Sequence, residues 1–152
     1  MIKYMKKTFI RVRSVKDITI FTSLIILGSV LIAIPTGQAI NITGFFLIFA
    51  GLILLFVLKS GYKDEDSNNR YQKEEHYFQQ AMNAGIASVL ESKPESIDLR
   101  EADKGNAVRL DVYYSKASGK AYLQLFEYIP YKYEPCSDMV EHNITRVEHL
   151  IR

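Results

Sequence analysis

The sequence predicts a membrane α-helical hairpin, two transmembrane helices, followed by a small α+β cytoplasmic domain built as a helix, three antiparallel strands and a helix. Three observations predict it. Residues 18–58 carry no charged side chain. Two long apolar runs lie inside that stretch, separated by a five-residue link at 35–39. Beyond residue 70 apolar side chains recur first at helical spacing, then in alternation, then at helical spacing again.

The first apolar run, 18–34, holds eleven Leu, Ile, Phe or Val residues, and the second, 40–58, holds fourteen. A hydrocarbon core about 30 Å thick is crossed by roughly 17–25 helical residues, and both runs reach that length. At about −0.3 to −0.6 kcal/mol for each such residue near the helix centre, insertion is favoured by roughly 3–8 kcal/mol per run before polar groups are charged against it. The hydroxyls Thr19, Thr22, Ser23 and Ser29 are the polar groups of the first run, and they are expected to bond back to the preceding helical turn. Ser29 and Ala33, with Ala50 and Gly51, are small residues that permit close helix contact. Two soluble core helices are disfavoured, because the 94 residues after position 58 are too few to cover both on every side. A cleaved signal peptide is disfavoured as well: the apolar run is long, and no A-x-A site precedes Pro35. Pro35 and Gly37 make the link a turn and force antiparallel neighbours.

Charge sets the expected orientation. Residues 1–17 hold Lys3, Lys6, Lys7, Arg11, Arg13 and Lys16 against Asp17 alone, the link holds no Lys or Arg, and Lys59, Lys63, Arg70 and Lys73 follow the second run. Basic flanks stay in the cytoplasm, so both termini are expected there, in a bacterial inner membrane. Ile2, Met5, Phe9 and Val12 recur at helical spacing, and residues 1–17 are read as a basic amphipathic arm on an anionic lipid surface.

The remainder is expected to consist of a linker over 59–70 and a cytoplasmic domain over 71–152, folding independently. Tyr71, Phe78, Met82, Ile86, Val89 and Leu90 suggest a helix over 71–91, ended at Lys93-Pro94. Ile97 and Leu99 suggest a short strand, with a hairpin turn at 103–106. Val108, Leu110, Val112 and Tyr114 alternate in a second strand, 116–119 turns, and 121–129 forms a third strand apolar on both faces, as a central strand is. The chain is then expected to leave the sheet at 131–135. A final helix to about residue 151 would be capped near Asp138, with Val140, Ile144, Val147 and Ile151 as its buried stripe.

Little in the sequence points to chemistry. From Lys59 onward 13 basic residues meet 16 acids, which excludes the basic stripe of a nucleic-acid binder. The single cysteine, Cys136, excludes an internal disulfide framework and a cysteine-rich zinc site. The two Val-Glu-His copies at 140–142 and 147–149 put His142 and His149 about two helical turns apart, too far to share one metal ion. His76, beside Glu74 and Glu75, reads as surface. Asp98, Glu101, Asp103 and Asp111 read as turn and edge charges, and the triplets at Asn41 and Asn143 as chance matches to a glycosylation signal. No catalytic, cofactor-binding or metal-binding residue is therefore expected, and no cofactor.

Tyrosines carry the strongest remaining signal. Tyr113, Tyr114, Tyr122, Tyr128, Tyr131 and Tyr133 crowd the second and third strands and their exit. Tyr122, Phe126, Tyr128, Tyr131 and Tyr133 are the candidate protein-docking residues, since aromatics bury area at low entropic cost. The expected function is that of an accessory, regulatory or immunity-type protein binding a partner protein, or further copies of itself, in the bilayer. Two alternatives are a small oligomeric pore or transport subunit, against which neither run holds an ionisable residue, and a membrane-anchored enzyme with an unrecognised site.

Overall fold

The structure, a computed structural model, describes residues 7–35 and 37–151. They fall into two compact units, one within Arg11–Tyr62 and the other made of residues 7–10 together with 63–151.

The first unit is a pair of helices, α1 (Val15–Ala33) and α2 (Gln38–Val57), both long and apolar enough to cross a membrane. Helix α1 starts three residues before the apolar run because Ser14 and Asp17 form a capping box. The Asp17 amide donates to Ser14 Oγ at 3.1 Å, and the Ser14 amide donates to Asp17 Oδ2 at 2.9 Å. Asp17 is nevertheless buried, and it also accepts from the Ser60 amide at 2.7 Å and the Ser60 hydroxyl at 2.6 Å. Arg13 donates to the Leu55 carbonyl at 2.7 Å, among the last unpaired carbonyls of α2, where a cation is favoured. Thr19 and Ser29 bond back to the Val15 and Ile25 carbonyls at 2.9 and 2.8 Å, as the sequence suggests.

The helices meet through different small residues from those expected. A Cβ on Gly28 would lie 2.5 Å from the Gly44 carbonyl oxygen, one on Gly44 2.7 Å from the Gly28 oxygen, and one on Gly51 2.6 Å from Ile25. Ser29 and Ala33 are exposed instead, and only Gly51 of the expected four is buried in this contact. Backbone contact this close requires the absence of a side chain. The outer faces remain apolar and open, with Phe46 and Phe56 70 % and 75 % exposed.

The second unit is a sheet with short helices on one face. Its strands are β3 (Arg70–Phe78), β4 (Val108–Ser115), β5 (Lys120–Ile129), β6 (Lys132–Pro135) and β7 (Val140–Asn143). Two shorter strands, β1 (Phe9–Val12) and β2 (Gly61–Asp64), each belong partly to both units. The order is β1-β2-β3-β4-β5-β6, with β7 also on β5, and β3–β4, β4–β5, β5–β6 and β5–β7 are antiparallel. Strand β5 is thus central in the sheet, and each face is covered: Leu123 and Leu125 lie in the core, and Tyr122 lies against Phe9 and Lys7.

Six expectations are corrected. Residues 9–12 are strand, not part of an amphipathic helix; Ile2, Met5, Lys3 and Lys6 lie outside the described residues. The linker over 59–70 contains β2 and the start of β3. The helix over 71–91 is strand to Phe78, and only Asn83–Val89 is helical (α3). Tyr71, Lys73, Glu75 and Tyr77 face one way and Gln72, Glu74, His76 and Phe78 the other, and seven residues of β4 pair with this strand. That pairing outweighs the local pattern, which fits a helix equally well. Ile97 lies between two 3-10 turns, Pro94–Ser96 and Leu99–Glu101, and Leu99 opens the second, so neither is in a strand. Residues 131–135 return to the sheet as β6 through Tyr131 at φ 76°, and the final helix is replaced by β7 and two 3-10 turns. Asn143 starts the first of these turns, its side chain accepting from the Thr145 amide at 3.1 Å. The expected stripe still reaches the core: Val147 is fully buried, with Val140, Ile144 and Ile151 packed alongside.

That core lies between α3, the 3-10 turns and one sheet face, and contains Phe78, Ile86, Leu90, Val108, Leu110, Val112, Leu123, Leu125, Val147 and Leu150. Leaving these side chains in water would forfeit about 1.5–3 kcal/mol for each large one.

Candidate interaction surfaces of the sheet

The strand register carries a second set of side chains to the face opposite the core. Lys73, Tyr113 and Tyr122 lie in one row across β3, β4 and β5; Glu75, Asp111 and Gln124 in the next; Tyr77, Arg109 and Phe126 in the third. Tyr128 and Tyr133 follow across β5 and β6. The face divides into three zones with different chemistry.

At one end the chain's own N-terminal segment lies on the tyrosines. The Phe9 ring stacks on Tyr113, with centroids 4.2 Å apart and planes 4° from parallel, and meets Tyr71 and Tyr122 edge-on at 5.1 and 5.8 Å. Lys7 Nζ sits 2.9 Å from Asp64 Oδ2, donates to Tyr122 Oη at 2.8 Å and lies 4.4 Å from the Tyr122 ring centroid. Asp64 is fully buried and also accepts from the Ser67 hydroxyl at 2.5 Å and the Asp66 amide at 3.2 Å. Burial works against both charges. Ser67, Lys7 and the Asp66 amide outweigh it at Asp64 and hold the carboxyl below its ordinary value, while Tyr122 and Asp64 hold the Lys7 ammonium above the usual lysine range.

In the middle Asp111 is buried between two cations. Arg109 Nε lies 2.7 Å from Asp111 Oδ1 and Lys73 Nζ lies 3.4 Å from Oδ2, with Lys73 also 2.8 Å from Glu75. Tyr77 donates to Glu75 at 2.8 Å. Burial leaves the Asp111 carboxyl above its ordinary value in spite of Lys73 and Arg109, whereas Glu75 is held below by Lys73 and Tyr77 against its own burial. The network pairs two acids with two bases, Asp111 with Arg109 and Lys73, and Glu75 with Lys73.

The far end is aromatic and open. The Arg109 guanidinium lies 4.6 Å from the Phe126 centroid and 4.7 Å from that of Tyr133. Tyr133 meets Tyr77 and Tyr128 at 6.1 and 5.1 Å and donates to the Asn106 carbonyl at 2.7 Å. Beyond them the β5–β6 turn presents Tyr128, 48 % exposed, Ile129, and Tyr131, 96 % exposed. A tyrosine at positive φ is strained, and this one has almost no burial to offset the strain.

The candidate docking residues are therefore split. Tyr122 is buried beneath Lys7 and Phe9; Phe126 and Tyr133 are half-buried around Arg109; Tyr128 and Tyr131 are exposed at the turn. Of the basic arm, Lys7 is committed to Asp64, Arg11 donates to Tyr62 at 3.3 Å and Arg13 to Leu55, while Lys16 is exposed. Lys7, Phe9, Asp64 and Tyr71 were missed as a site. The alternation of Lys7, Phe9 and Arg11 in a strand-like stretch was the available signal.

The histidines and the loop acids singled out in the sequence have structural partners. His76, His142 and His149 place Nε2 at 2.5, 2.7 and 3.0 Å from the carbonyls of Leu150, Leu90 and Ile97. A carbonyl only accepts, so each Nε2 carries a proton and is unavailable to a metal. His76 is buried, contrary to its surface reading. Asp98 pairs with Arg100 and Glu101 with Lys104; Asp103 occupies a turn, and its amide donates to the Tyr77 carbonyl. Among the described residues no group of three or more His, Cys, Asp or Glu is placed to hold a metal ion. Cys136 is half-buried, and burial pushes its thiol up. Comparison with protein families, curated proteins and solved structures finds no match to this chain.

Proposed function

We propose that the chain is a bacterial inner-membrane accessory, regulatory or immunity-type protein, anchored by its helical hairpin with both termini cytoplasmic, whose sheet unit binds a partner protein. The observation that carries this reading is the β5–β6 turn. It presents Tyr128, Ile129 and the strained Tyr131 to solvent on a rigid hairpin braced by Tyr133 and Arg109. Aromatic anchors of this kind contribute about 2 kcal/mol or more each at an interface. The anchor reading is supported by the open apolar faces of α1 and α2, and the orientation by the Lys and Arg excess in both flanks.

A photo-cross-linking residue in place of Tyr131, activated in cells of the source organism, tests it. A discrete protein adduct is expected, lost when Tyr128 and Ile129 are changed to Ser in a chain whose melting temperature is unchanged. Adducts to lipid alone, or no adduct from a folded and membrane-inserted chain, overturn the docking reading.

A further inference from the structure

Lys7, Thr8 and Phe9 engage the sheet unit in the manner of a bound peptide. Strand β1 stands at the end of the strand order, beside β2, so the segment is added to a sheet edge, the arrangement by which many sheets capture an extended ligand. The backbone joins in: the Glu65 amide donates to the Thr8 carbonyl at 3.1 Å. Two side-chain sites lie one alternation apart. The Lys7 ammonium enters an acid-and-ring site made by Asp64 and Tyr122, and the Phe9 ring enters a three-tyrosine site made by Tyr71, Tyr113 and Tyr122. A buried carboxylate demands a cation, and aromatic edges and faces demand a ring. The occupant's chemistry is therefore defined: an extended segment with a lysine two residues ahead of an aromatic.

We propose that this groove is a docking site for such a segment of a partner protein, and that the chain's own Lys7-Thr8-Phe9 is an intramolecular competitor that keeps it closed. The segment belongs to the sheet unit but precedes α1 in the chain, with only residues 10–14 between Phe9 and the first residue of the helix. An intramolecular occupant lowers the apparent affinity of any external one in proportion to the fraction of time it is seated. Its release is thus the gating event. The site lies at the opposite end of β5 from the Tyr128–Tyr131 turn, and the inference does not rest on the partner reading made for that turn.

The test is a fluorescein-labelled peptide, Lys-Thr-Phe-Ile-Arg-Val amide, titrated by anisotropy onto the full chain in an uncharged detergent. The Lys7→Ser/Phe9→Ser chain is expected to bind it saturably and at least tenfold more tightly than the unchanged chain. Adding Asp64→Asn, or replacing the peptide's Phe by Ser, is expected to abolish that binding. Equal affinity for both chains, or no binding to a Lys7→Ser/Phe9→Ser chain that keeps its near-ultraviolet circular dichroism, overturns the proposal. If that variant fails to fold, a protease site placed between Arg13 and Ser14 of the otherwise unchanged chain severs the segment after folding. Exchange of the severed segment for labelled peptide is then expected, and a segment that never exchanges overturns the proposal equally.

Discussion

Asp64 shows how much one residue constrains this protein. Its carboxylate is fully buried, and three donors including Lys7 hold it below the ordinary value of 3.8. A carboxyl depressed in the folded state lends stability that is complete above its unfolded value and lost as pH falls through the folded one. Urea unfolding of the full chain in detergent should therefore weaken on acidification below about pH 4. Asp64→Asn should start less stable at neutral pH and show a shallower acid limb. Equal acid slopes for the two chains would mean that Lys7 and Asp64 are not joined in the folded protein. Tyr131 and the three histidines read differently at the same scale. The imidazoles are fastened to carbonyls of the α3 region and the C-terminal turns, whereas Tyr131 accepts strain for an exposed ring, a combination expected where the ring has work elsewhere.

At the scale of elements, the helical pair and the sheet obey different rules. Helices α1 and α2 approach at Gly28, Gly44 and Gly51, where any side chain would collide with backbone or with Ile25. Gly44→Val should separate the helices and lower stability in detergent by about 1–3 kcal/mol, the usual penalty of overpacking. Val at Ser29, on an exposed face, is the control and should leave the melting temperature unchanged. In the sheet, alternation decides. Strand β3 offers a stripe that suits a helix and an alternation that suits a strand, and its seven partners on β4 select the second. Strand β7 is selected in the same way by Lys120, Ala121, Tyr122 and Leu123 of β5.

For the whole molecule, the division into units does not follow the chain. The sheet unit takes in residues up to Ile10, leaves the chain for the helices, and resumes at Lys63. A fragment beginning near residue 70 would lack β2 and Asp64, so the expectation of an independent 71–152 domain needs a different boundary. A fragment of residues 63–152 keeps the main core but loses Lys7 and Phe9. It should be less stable than the same fragment with residues 1–10 fused through a flexible linker, by on the order of 3 kcal/mol for the orphaned carboxylate. Chemical denaturation of both fragments measures this, and equal stabilities would show that the segment is an ornament of the sheet.

The sequence alone determined the features that depend on composition and short-range pattern. A charge-free stretch with two apolar runs became two long apolar helices, and clean alternation with a Gly119 turn became the β4–β5 hairpin, both as the pattern predicts. These hold because the favourable energy is local or sums along the run. The tertiary structure decided everything that rests on distant pairing. The identity of β3 and β7 depends on β4 and β5, the close helix contact depends on glycines matched across two helices, and the site around Asp64 joins residues 57 positions apart in sequence. A lysine in a basic N-terminal arm and an aspartate in a polar stretch each look solvated when read alone. Only folding brings them together, because the desolvation of the buried carboxylate is offset by Lys7 with Ser67 and the Asp66 amide, and that of the half-buried ammonium by Asp64 with Tyr122.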